Sequence, residues 1–431
     1  MTGKRARDLV GSGVMSHWML TREPNTQLDL GLPPGRAAGP RPVHDRRNVR
    51  RLRAVGLFAG IGGFELGLER AGHRARLFCE IDPAAQAVLR HGFPRVEILP
   101  DVRRVDALAE AMSSQIDLLT AGFPCQDLSQ AGGTVGIDGP QSGLVSHVFR
   151  LLEASRVPWV VIENVSFMLR LDRGRAMTRI VTELERLGYR WAYRVVDSGG
   201  FGVPQRRERV FLTASLDGDP RGVLLADDAR PRPLKAAIGR LAHGFYWTEG
   251  TRGLGWAIDS VPTLKGGSTI GIPSPPAILM PDLSVITPDI RDAERLQGLD
   301  EDWTAPAAEI AKRGVRWRLV GNAVTVNVAE WLGERLAAPG DYDGDGDETL
   351  APEAPWPAAA WYDGRRRAVS SVSKWPVRRK RDRLHDFLNH DGSPLSARAS
   401  GGFLSRAAKS TLKFADGFLE AVKSHHARIA V

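Results

Sequence analysis

The sequence contains very little cysteine, since only Cys79 and Cys125 occur among its 431 residues. Two cysteines cannot build a disulfide framework, and neither has the C-x-x-C partner of a common zinc site. No apolar run approaches the roughly eighteen residues of a membrane span, and the basic N-terminus lacks the apolar stretch of a secretory signal. These absences predict an intracellular protein without a membrane span, a disulfide scaffold or a bound metal.

The chain is basic, with a formal net charge of +9 and an isoelectric point near 9.9. This balance suits a polyanionic partner such as nucleic acid, although a generally basic surface would give the same numbers. Hydrophobic residues make up 42% and charged residues 25%, as is ordinary for a globular protein. A chain of this length can bury a large core and has room for two domains.

Composition and periodicity divide the chain into segments. Strand-like and helical patterns alternate on both sides of a central stretch that is rich in Gly and Pro and has no long helical pattern. We interpret that stretch as a small domain inserted into a larger one. The predicted segments are a basic, disordered arm at 1–51, a main domain at 52–214, the small domain at 215–285, a return to the main domain at 286–338, a linker with a basic run at 339–385 and a helical tail at 386–431.

The alternation of strands and helices predicts an α/β fold, with a parallel sheet covered by helices on both faces. The carboxyl ends of parallel strands share one edge of the sheet, where such folds bind ligands. We therefore expect functional residues at the strand ends. The strand-like runs lie at 54–58, 76–79, 116–120, 159–162 and 209–214, and a last helical pattern lies at 321–336.

Three successive strand ends carry residues suited to an adenosyl group. The first runs from Phe58 into the Gly-rich turn 59–63, whose backbone N–H groups can approach a ligand closely. The second ends in Glu80, which can accept both hydroxyl protons of a ribose, and the third in Asp101, suited to an adenine amino group. Each acid alone would serve equally well as a helix cap. Together, without G-x-G-x-x-G spacing, they indicate an adenosyl cofactor lacking a pyrophosphate, such as S-adenosylmethionine.

A second group of residues at strand ends is suited to covalent chemistry. Cys125 follows a Gly-Phe-Pro break after a strand, and a thiolate exposed there would be a strong nucleophile. Glu163 ends an apolar strand, where a partly desolvated carboxyl can donate a proton to a ring nitrogen. Arg207 and Arg209 alternate onto one face of a later strand and can hold a carbonyl or a phosphate. A salt-bridged acid at a strand end is the alternative for Glu163, and a solvated charged strand would be favoured for the arginines if that run stood alone.

The order of these motifs resembles that of a known family. Gly-Phe-Pro-Cys-Gln, Glu-Asn-Val and Gln-x-Arg-x-Arg follow Phe-Ala-Gly-Ile-Gly-Gly, and in this the chain resembles the DNA cytosine-5 methyltransferases. Segments 289–298 and 321–324 are similar to later motifs of the family, so the resemblance covers about residues 52–338. It implies a Rossmann-like S-adenosylmethionine-dependent methyltransferase sheet in the main domain, and target recognition by the small domain.

The resemblance also implies a role for each matching residue. Cys125 would be the nucleophile, Glu163 would act at the ring nitrogen and amino group of cytosine, and Arg207 and Arg209 would steady the base and a closed loop. Ile81 departs from the family pattern, which often has an aromatic residue against the adenine. The cofactor site would include Phe58, Gly60, Gly62, Gly63, Glu80, Ile81, Asp101, Val102, Pro124, Asn322 and Ala323, and the DNA site Gln126, Ser129 and Gln205.

The implied activity is methyl transfer from S-adenosylmethionine to carbon 5 of a cytosine flipped out of double-stranded DNA. Addition of the thiol at carbon 6 would make carbon 5 nucleophilic, and the segment 126–143 would close over the base. The predicted setting is a monomer in the cytoplasm of a bacterial or phage-infected cell. The recognition sequence stays open, as does the choice between a restriction–modification pair with a cognate endonuclease and a solitary or phage enzyme.

Other classes of protein are weighed against this prediction. An exocyclic-amine DNA methyltransferase is disfavoured because Phe-Pro-Cys-Gln stands where that class has a Pro-Pro-aromatic segment. A transfer-RNA cytosine methyltransferase of the same broad fold is the nearest enzymatic rival, although Cys79 on the cofactor strand argues against the two-cysteine RNA enzymes. A catalytically inactive DNA-binding protein is the alternative from another class, and the set of Cys125, Glu163 and Arg207 argues against it.

Overall fold

The computed structural model describes residues 50–112, 115–123, 143–229, 234–267, 273–311 and 314–430. Nearly all of the predicted arm at 1–51 lies outside these ranges, as do Pro124, Cys125, Gln126 and Ser129. The described residues form a large α/β unit and a smaller unit built on a second sheet. Within them, no helix is long and apolar enough to cross a membrane.

The strands of the described residues belong to one large sheet, one small sheet and one short pair. In chain order they are β1 (Arg53–Leu57), β2 (Arg74–Cys79), β3 (Glu97–Leu99), β4 (Leu118–Ala121), β5 (Trp159–Val165), β6 (Arg190–Asp197), β7 (Gln205–Arg206), β8 (Glu208–Ser215), β9 (His243–Phe245), β10 (Trp256–Ile258), β11 (Val261–Pro262), β12 (Ala277–Leu279), β13 (Val285–Thr287), β14 (Ala359–Tyr362), β15 (Arg367–Val369) and β16 (Ser393–Pro394).

The large sheet has the order β15-β14-β6-β8-β5-β4-β1-β2-β3 over the described residues. The strands from β3 to β5 are parallel to their neighbours, whereas β8, β6, β14 and β15 continue the sheet in antiparallel fashion. The carboxyl ends of β1, β2, β4 and β5 therefore meet at one edge, where the sequence predicted the functional residues.

Helices cover both faces of the large sheet, so the predicted α/β fold is confirmed. Apolar residues of α3, α4 and α5 pack on one face, and those of α1, α6 and α10 pack on the other. In chain order the helices of the described residues are α1 (Gly63–Arg70), α2 (Pro83–Gly92), α3 (Val105–Ala111), α4 (Leu144–Ser155), α5 (Arg175–Arg186), α6 (Arg221–Leu224), α7 (Ile290–Leu296), α8 (Ala307–Ile310), α9 (Val315–Asn322), α10 (Val326–Ala337), α11 (Leu384–Phe387), α12 (Ala397–Ala408) and α13 (Phe418–Ile429).

The helical pattern predicted at 321–336 forms two helices instead of one. Helix α9 ends at Asn322, and α10 begins at Val326. At the break the chain passes close to the start of α1. A Cβ on Gly63 would lie only 2.6 Å from the carbonyl oxygen of Val324. Ala323, between the two helices, has an extended backbone with φ −66° and ψ 150°.

The predicted tail at 386–431 is part of the small unit. The small sheet has the order β10-β9-β12-β13-β16, so the tail supplies its edge strand. Helices α12 and α13 pack on this sheet, and Phe245, Phe403 and Phe418 are fully buried between them. The rings of Phe245 and Phe403 lie 4.6 Å apart, and those of Phe245 and Phe418 lie 5.4 Å apart. The small unit therefore draws its core from two distant parts of the chain.

The predicted linker at 339–385 is also folded, which differs from the sequence interpretation. Strand β14 pairs with β6 at the edge of the large sheet, and Trp361 is buried. The indole of Trp361 and the hydroxyl of Tyr342 both donate to Oδ2 of Asp347, each at 2.6 Å. The acidic stretch 341–347 has no apolar periodicity, so nothing in the sequence indicated that Trp361 would bind one of its carboxylates.

Candidate active site

The turn after β1 is tied to the end of β2 by the carboxylate of Glu80. The backbone N–H of Gly60 donates to Oε2 at 2.7 Å, and that of Asp82 donates to Oε1 at 2.8 Å. Phe58, Gly60 and Gly62 have positive φ values of 54°, 56° and 77°, which shape this turn. Burial raises the pKa of Glu80, and the backbone N–H donors offset part of that effect. Each carboxylate oxygen keeps a second lone pair for a ligand hydroxyl.

An open apolar side chain lies next to Glu80. Ile81 exposes 64% of its surface, whereas Val102 near the end of β3 is buried. Asp101 accepts from Nη2 of Arg103 at 2.6 Å, and the hydrogen bond from this guanidinium holds the pKa of Asp101 below its usual range. Ile81 is thus available as a platform for a flat ligand, while Asp101 shares its carboxylate with a neighbour.

The segment after α9 closes the same edge. Ala323 is buried, and Val324 contacts the start of α1 at Gly63. Asn322 is exposed, and its Oδ1 lies 2.4 Å from where a Cβ on Gly266 would be. The fold therefore brings three predicted cofactor segments together, although they are far apart in sequence.

Glu163 lies at the end of β5, beside the chain that leads into Cys125. Strand β4 pairs with β5, and Oε2 of Glu163 lies 3.6 Å from where a Cβ on Gly122 would be. The amide of Asn164 donates to the carbonyl of Phe123 at 3.1 Å and fixes this approach. Cys125 itself lies outside the described residues. Asn164 stands within the Glu-Asn-Val motif but was not among the predicted site residues.

The environment of Glu163 combines burial with positive charge. Glu163 is 8% exposed, and Nε of Arg209 lies 3.0 Å from its Oε1. Burial raises the pKa of Glu163 above its ordinary value, and the charges of Arg209 and Arg207 offset part of that rise. The carboxyl therefore keeps a proton to higher pH than a solvated glutamate.

Arg207 is buried and binds three backbone carbonyls. Its Nη1 donates to Leu264 at 3.1 Å and Gly321 at 3.2 Å, and its Nη2 donates to Ala323 at 2.7 Å. Burial lowers the pKa of Arg207 to about 9. One guanidinium thus links the start of β8 to Leu264, which follows β11, and to the end of α9.

Gln205 is fully buried, which the prediction of a DNA contact did not anticipate. Its Oε1 accepts from the backbone N–H of Leu264 at 3.0 Å, and its Nε2 donates to Leu296 at 2.9 Å and to Gln297 at 3.1 Å. Both the oxygen and the nitrogen of this amide are therefore hydrogen-bonded within the protein. Burial of this kind follows from tertiary packing, and the Gln-x-Arg-x-Arg pattern alone gives no sign of it.

Comparison with known proteins decides the family. The family model described as C-5 cytosine-specific DNA methylase matches residues 52–248. The chain is also 48% identical over 385 residues to the type II methyltransferase M2.BsuMI of Bacillus subtilis, and this covers 86% of the chain and 97% of the relative. The chain belongs to the C-5 cytosine-specific DNA methylase family. It is a DNA cytosine methyltransferase, from a family of the S-adenosylmethionine-dependent kind, and the predicted family and enzyme activity are confirmed.

More distant relatives of the methyltransferase are also found. The type II methyltransferase M.DsaV of Dactylococcopsis salina is 27% identical over 317 residues, which covers 67% of this chain and 86% of that protein. The crystal structure of S. pombe Dnmt2 methyltransferase matches with a TM-score of 0.48 and 17% identity, over 66% of this chain and 98% of that one. A structural likeness at this level supports no statement about function.

We expect Glu80→Gln to weaken binding of S-adenosylmethionine to the methyltransferase by about tenfold to a hundredfold. The amide keeps one acceptor but turns an N–H towards a backbone N–H, so the turn and the ligand hydroxyl both lose a hydrogen bond. Titration calorimetry with the cofactor measures the effect. Glu97→Gln, an exposed carboxyl on the adjacent strand β3, is the matched control. Equal affinities in the two variants would contradict a role for Glu80.

Proposed function

We propose that this methyltransferase modifies cytosine in double-stranded DNA, with Cys125 as the nucleophile and Glu163 as the acid at the ring nitrogen. The position of Glu163 carries the proposal, since its carboxyl lies beside Gly122 on the chain that leads into Cys125. Asn164 holds Phe123, and Cys125 follows two residues later, at most about 7 Å along an extended chain. A base held by the carboxyl would therefore be within reach of the thiol.

The proposed reaction begins with addition of the Cys125 thiolate to carbon 6 of the cytosine, which makes carbon 5 nucleophilic. Glu163 gives its proton to ring nitrogen 3 and so offsets the negative charge that develops there. S-adenosylmethionine, when bound, supplies the methyl group. A base then removes the proton from carbon 5, Cys125 leaves as the thiolate, and nitrogen 3 returns its proton to Glu163, so that neutral 5-methylcytosine is released.

The two arginines have different proposed tasks. Arg209 pairs with Glu163 at 3.0 Å and can hold this carboxyl against the base. Arg207 directs its terminal nitrogens to the carbonyls of Leu264, Gly321 and Ala323. We therefore propose that it stabilises the backbone around the site. Its proposed effect on the base is therefore indirect.

The edge around Glu80 fits an adenosyl group. The buried carboxylate would accept from the ribose hydroxyls, and exposed Ile81 would pack on the adenine. Asp101 would receive the adenine amino group beside Arg103. The other proposed cofactor residues are Phe58, Gly60, Gly62, Gly63, Val102, Pro124, Asn322 and Ala323.

We infer that the small unit reads the DNA sequence, with Gln126 and Ser129 contacting the DNA near the target base. Gln205 would contribute through the position of Leu264, because its own amide is buried. The relative from Bacillus subtilis is a type II methyltransferase, so we infer a restriction–modification setting in a bacterial cytoplasm, with a cognate endonuclease and a monomeric methyltransferase.

Labelled S-adenosylmethionine and mixed-sequence duplex DNA test the proposal directly. We expect the label on carbon 5 of cytosine after nucleoside analysis, and sequencing of the methylated products gives the recognition site. Label on an amino nitrogen would overturn the proposed chemistry. Label on RNA alone, with transfer RNA as the parallel substrate, would overturn the proposed substrate.

A further inference from the structure

The C-terminal hairpin of α12 and α13 lies outside the region that the family model matches, residues 52–248. It nevertheless shares one core with the inserted small domain, through the buried Phe403 and Phe418 packed on Phe245. Strand β16 also pairs with β13 at the edge of the small sheet. The hairpin is therefore built into the unit proposed to read DNA.

Arg406 on α12 reaches across to the segment 247–255, which connects β9 to β10. Its Nη2 donates to the carbonyl of Trp247, and its Nε is buried without a partner among the described residues. Trp247 in turn donates from its indole to the carbonyl of Pro275 at 2.9 Å. Arg406 thus holds the first residue of a segment whose middle, Gly250 to Arg252, reaches solvent.

Two consecutive glycines in α12 make room for this contact. Gly costs about 1 kcal/mol relative to Ala within a helix, so a pair of them requires a packing reason. A Cβ on Gly402 would lie 3.2 Å from Nη1 of Arg406, and a Cβ on Gly401 would lie 3.1 Å from the ring of His426. The surface of α12 therefore has no side chain where the Arg406 guanidinium and α13 pack against it.

The segment 247–255 is also tied to the candidate active site. Glu249 pairs with Lys265 at 3.0 Å, and the ammonium of Lys265 lies 4.0 Å from the ring centre of Tyr246. Tyr246 donates to the carbonyl of Thr263 at 2.8 Å, and Thr263 donates to the carbonyl of Arg206 at 3.0 Å. Thr263 directly precedes Leu264, which is hydrogen-bonded to both Arg207 and Gln205.

We propose that Arg406 is a positioning residue for DNA target recognition, which holds the segment 247–255 in place for contact with bases beside the flipped cytosine. The C-terminal hairpin is then the second half of the recognition domain. This inference rests on the proposed function, in which the small unit reads DNA. The exposed middle of this segment depends on such anchors at its ends, since base discrimination requires side chains held in fixed places.

The test compares Arg406→Met, Arg406→Lys and Arg398→Met in the full-length protein. Arg398 is exposed on the same helix, so its variant removes an equal charge without releasing Trp247. We expect Arg406→Met to raise KM for duplex DNA about tenfold, the loss typical of one hydrogen bond to a charged group, and to increase methylation at sites with one altered base pair. We expect kcat at saturating DNA and the affinity for S-adenosylmethionine to stay within about twofold, and Arg406→Lys to recover part of the loss.

Four results would overturn the role of Arg406. Equal changes in Arg406→Met and Arg398→Met would assign the effect to charge. A fall in kcat and in thermal midpoint with unchanged KM and unchanged sequence fidelity would assign it to general stability. A wild-type protein that does not methylate duplex DNA would overturn the proposed function and this inference together, whereas an active wild type with an indistinguishable Arg406→Met would overturn the inference alone.

Discussion

Cys125→Ala is expected to lower methylation of duplex DNA by at least about 10⁴-fold, because the proposed reaction has no route to a nucleophilic carbon 5 without the thiolate. The variant should also lose the covalent complex that the wild type forms with DNA containing 5-fluorocytosine. Fluorine cannot leave as a proton does, so the adduct at carbon 6 persists after methyl transfer. Denaturing electrophoresis of labelled DNA detects this complex.

Cys79→Ala is the matched control for this experiment. Cys79 is buried in β2, and burial, with the nearby Glu80 and Asp101, raises its pKa to about 12. Its thiol is therefore not a nucleophile near neutral pH. We expect Cys79→Ala to retain trapping and most activity, with a stability cost of about 1 kcal/mol. Trapping that persists in Cys125→Ala and disappears in Cys79→Ala would reverse the assignment.

Glu163→Gln is expected to lower kcat by about 10³-fold, within the range for loss of a positioned general acid. The amide can still donate a hydrogen bond to the ring nitrogen, but it cannot give up a proton. Single-turnover methylation at saturating DNA and cofactor measures the chemical step apart from binding. Glu208→Gln is the control, since this carboxyl of β8 pairs with Lys374 and not with the arginines at Glu163. A comparable loss in both variants would argue against a specific role for Glu163.

The pH dependence of wild-type activity distinguishes the contribution of Glu163 from that of Cys125. Burial, opposed in part by Arg209 and Arg207, raises the pKa of Glu163, so its proton is present at low pH and is lost as the pH rises through that raised value. Activity that requires protonated Glu163 therefore falls on the alkaline side, whereas the thiolate fraction of Cys125 rises with pH. We expect a bell-shaped profile whose alkaline limb is missing in Glu163→Gln. An alkaline limb that persists in this variant would belong to another group.

The chemistry proposed for the site was predicted from the sequence, because that prediction depends only on residue types at strand ends. A glycine-rich turn, Glu80 and Asp101 follow successive strands, and parallel strands bring their carboxyl ends to one edge wherever the helices lie. Glu163 could be assigned in the same way, since it ends an apolar strand. The order of these short motifs then indicated the family, which the comparisons confirmed.

The sequence by itself thus determined the α/β fold, the family and the kind of reaction. Only the tertiary structure showed that Gln205 is buried, that Arg207 binds three carbonyls, and that the segments taken for a linker and a tail complete both sheets. The reason is physical. Strand and helix periods are local properties of the chain, whereas the partners of a buried amide, guanidinium or phenylalanine come from distant segments of the chain, and their pairing leaves no local pattern. The small unit is assembled in this way, from the insertion and the C-terminal segments.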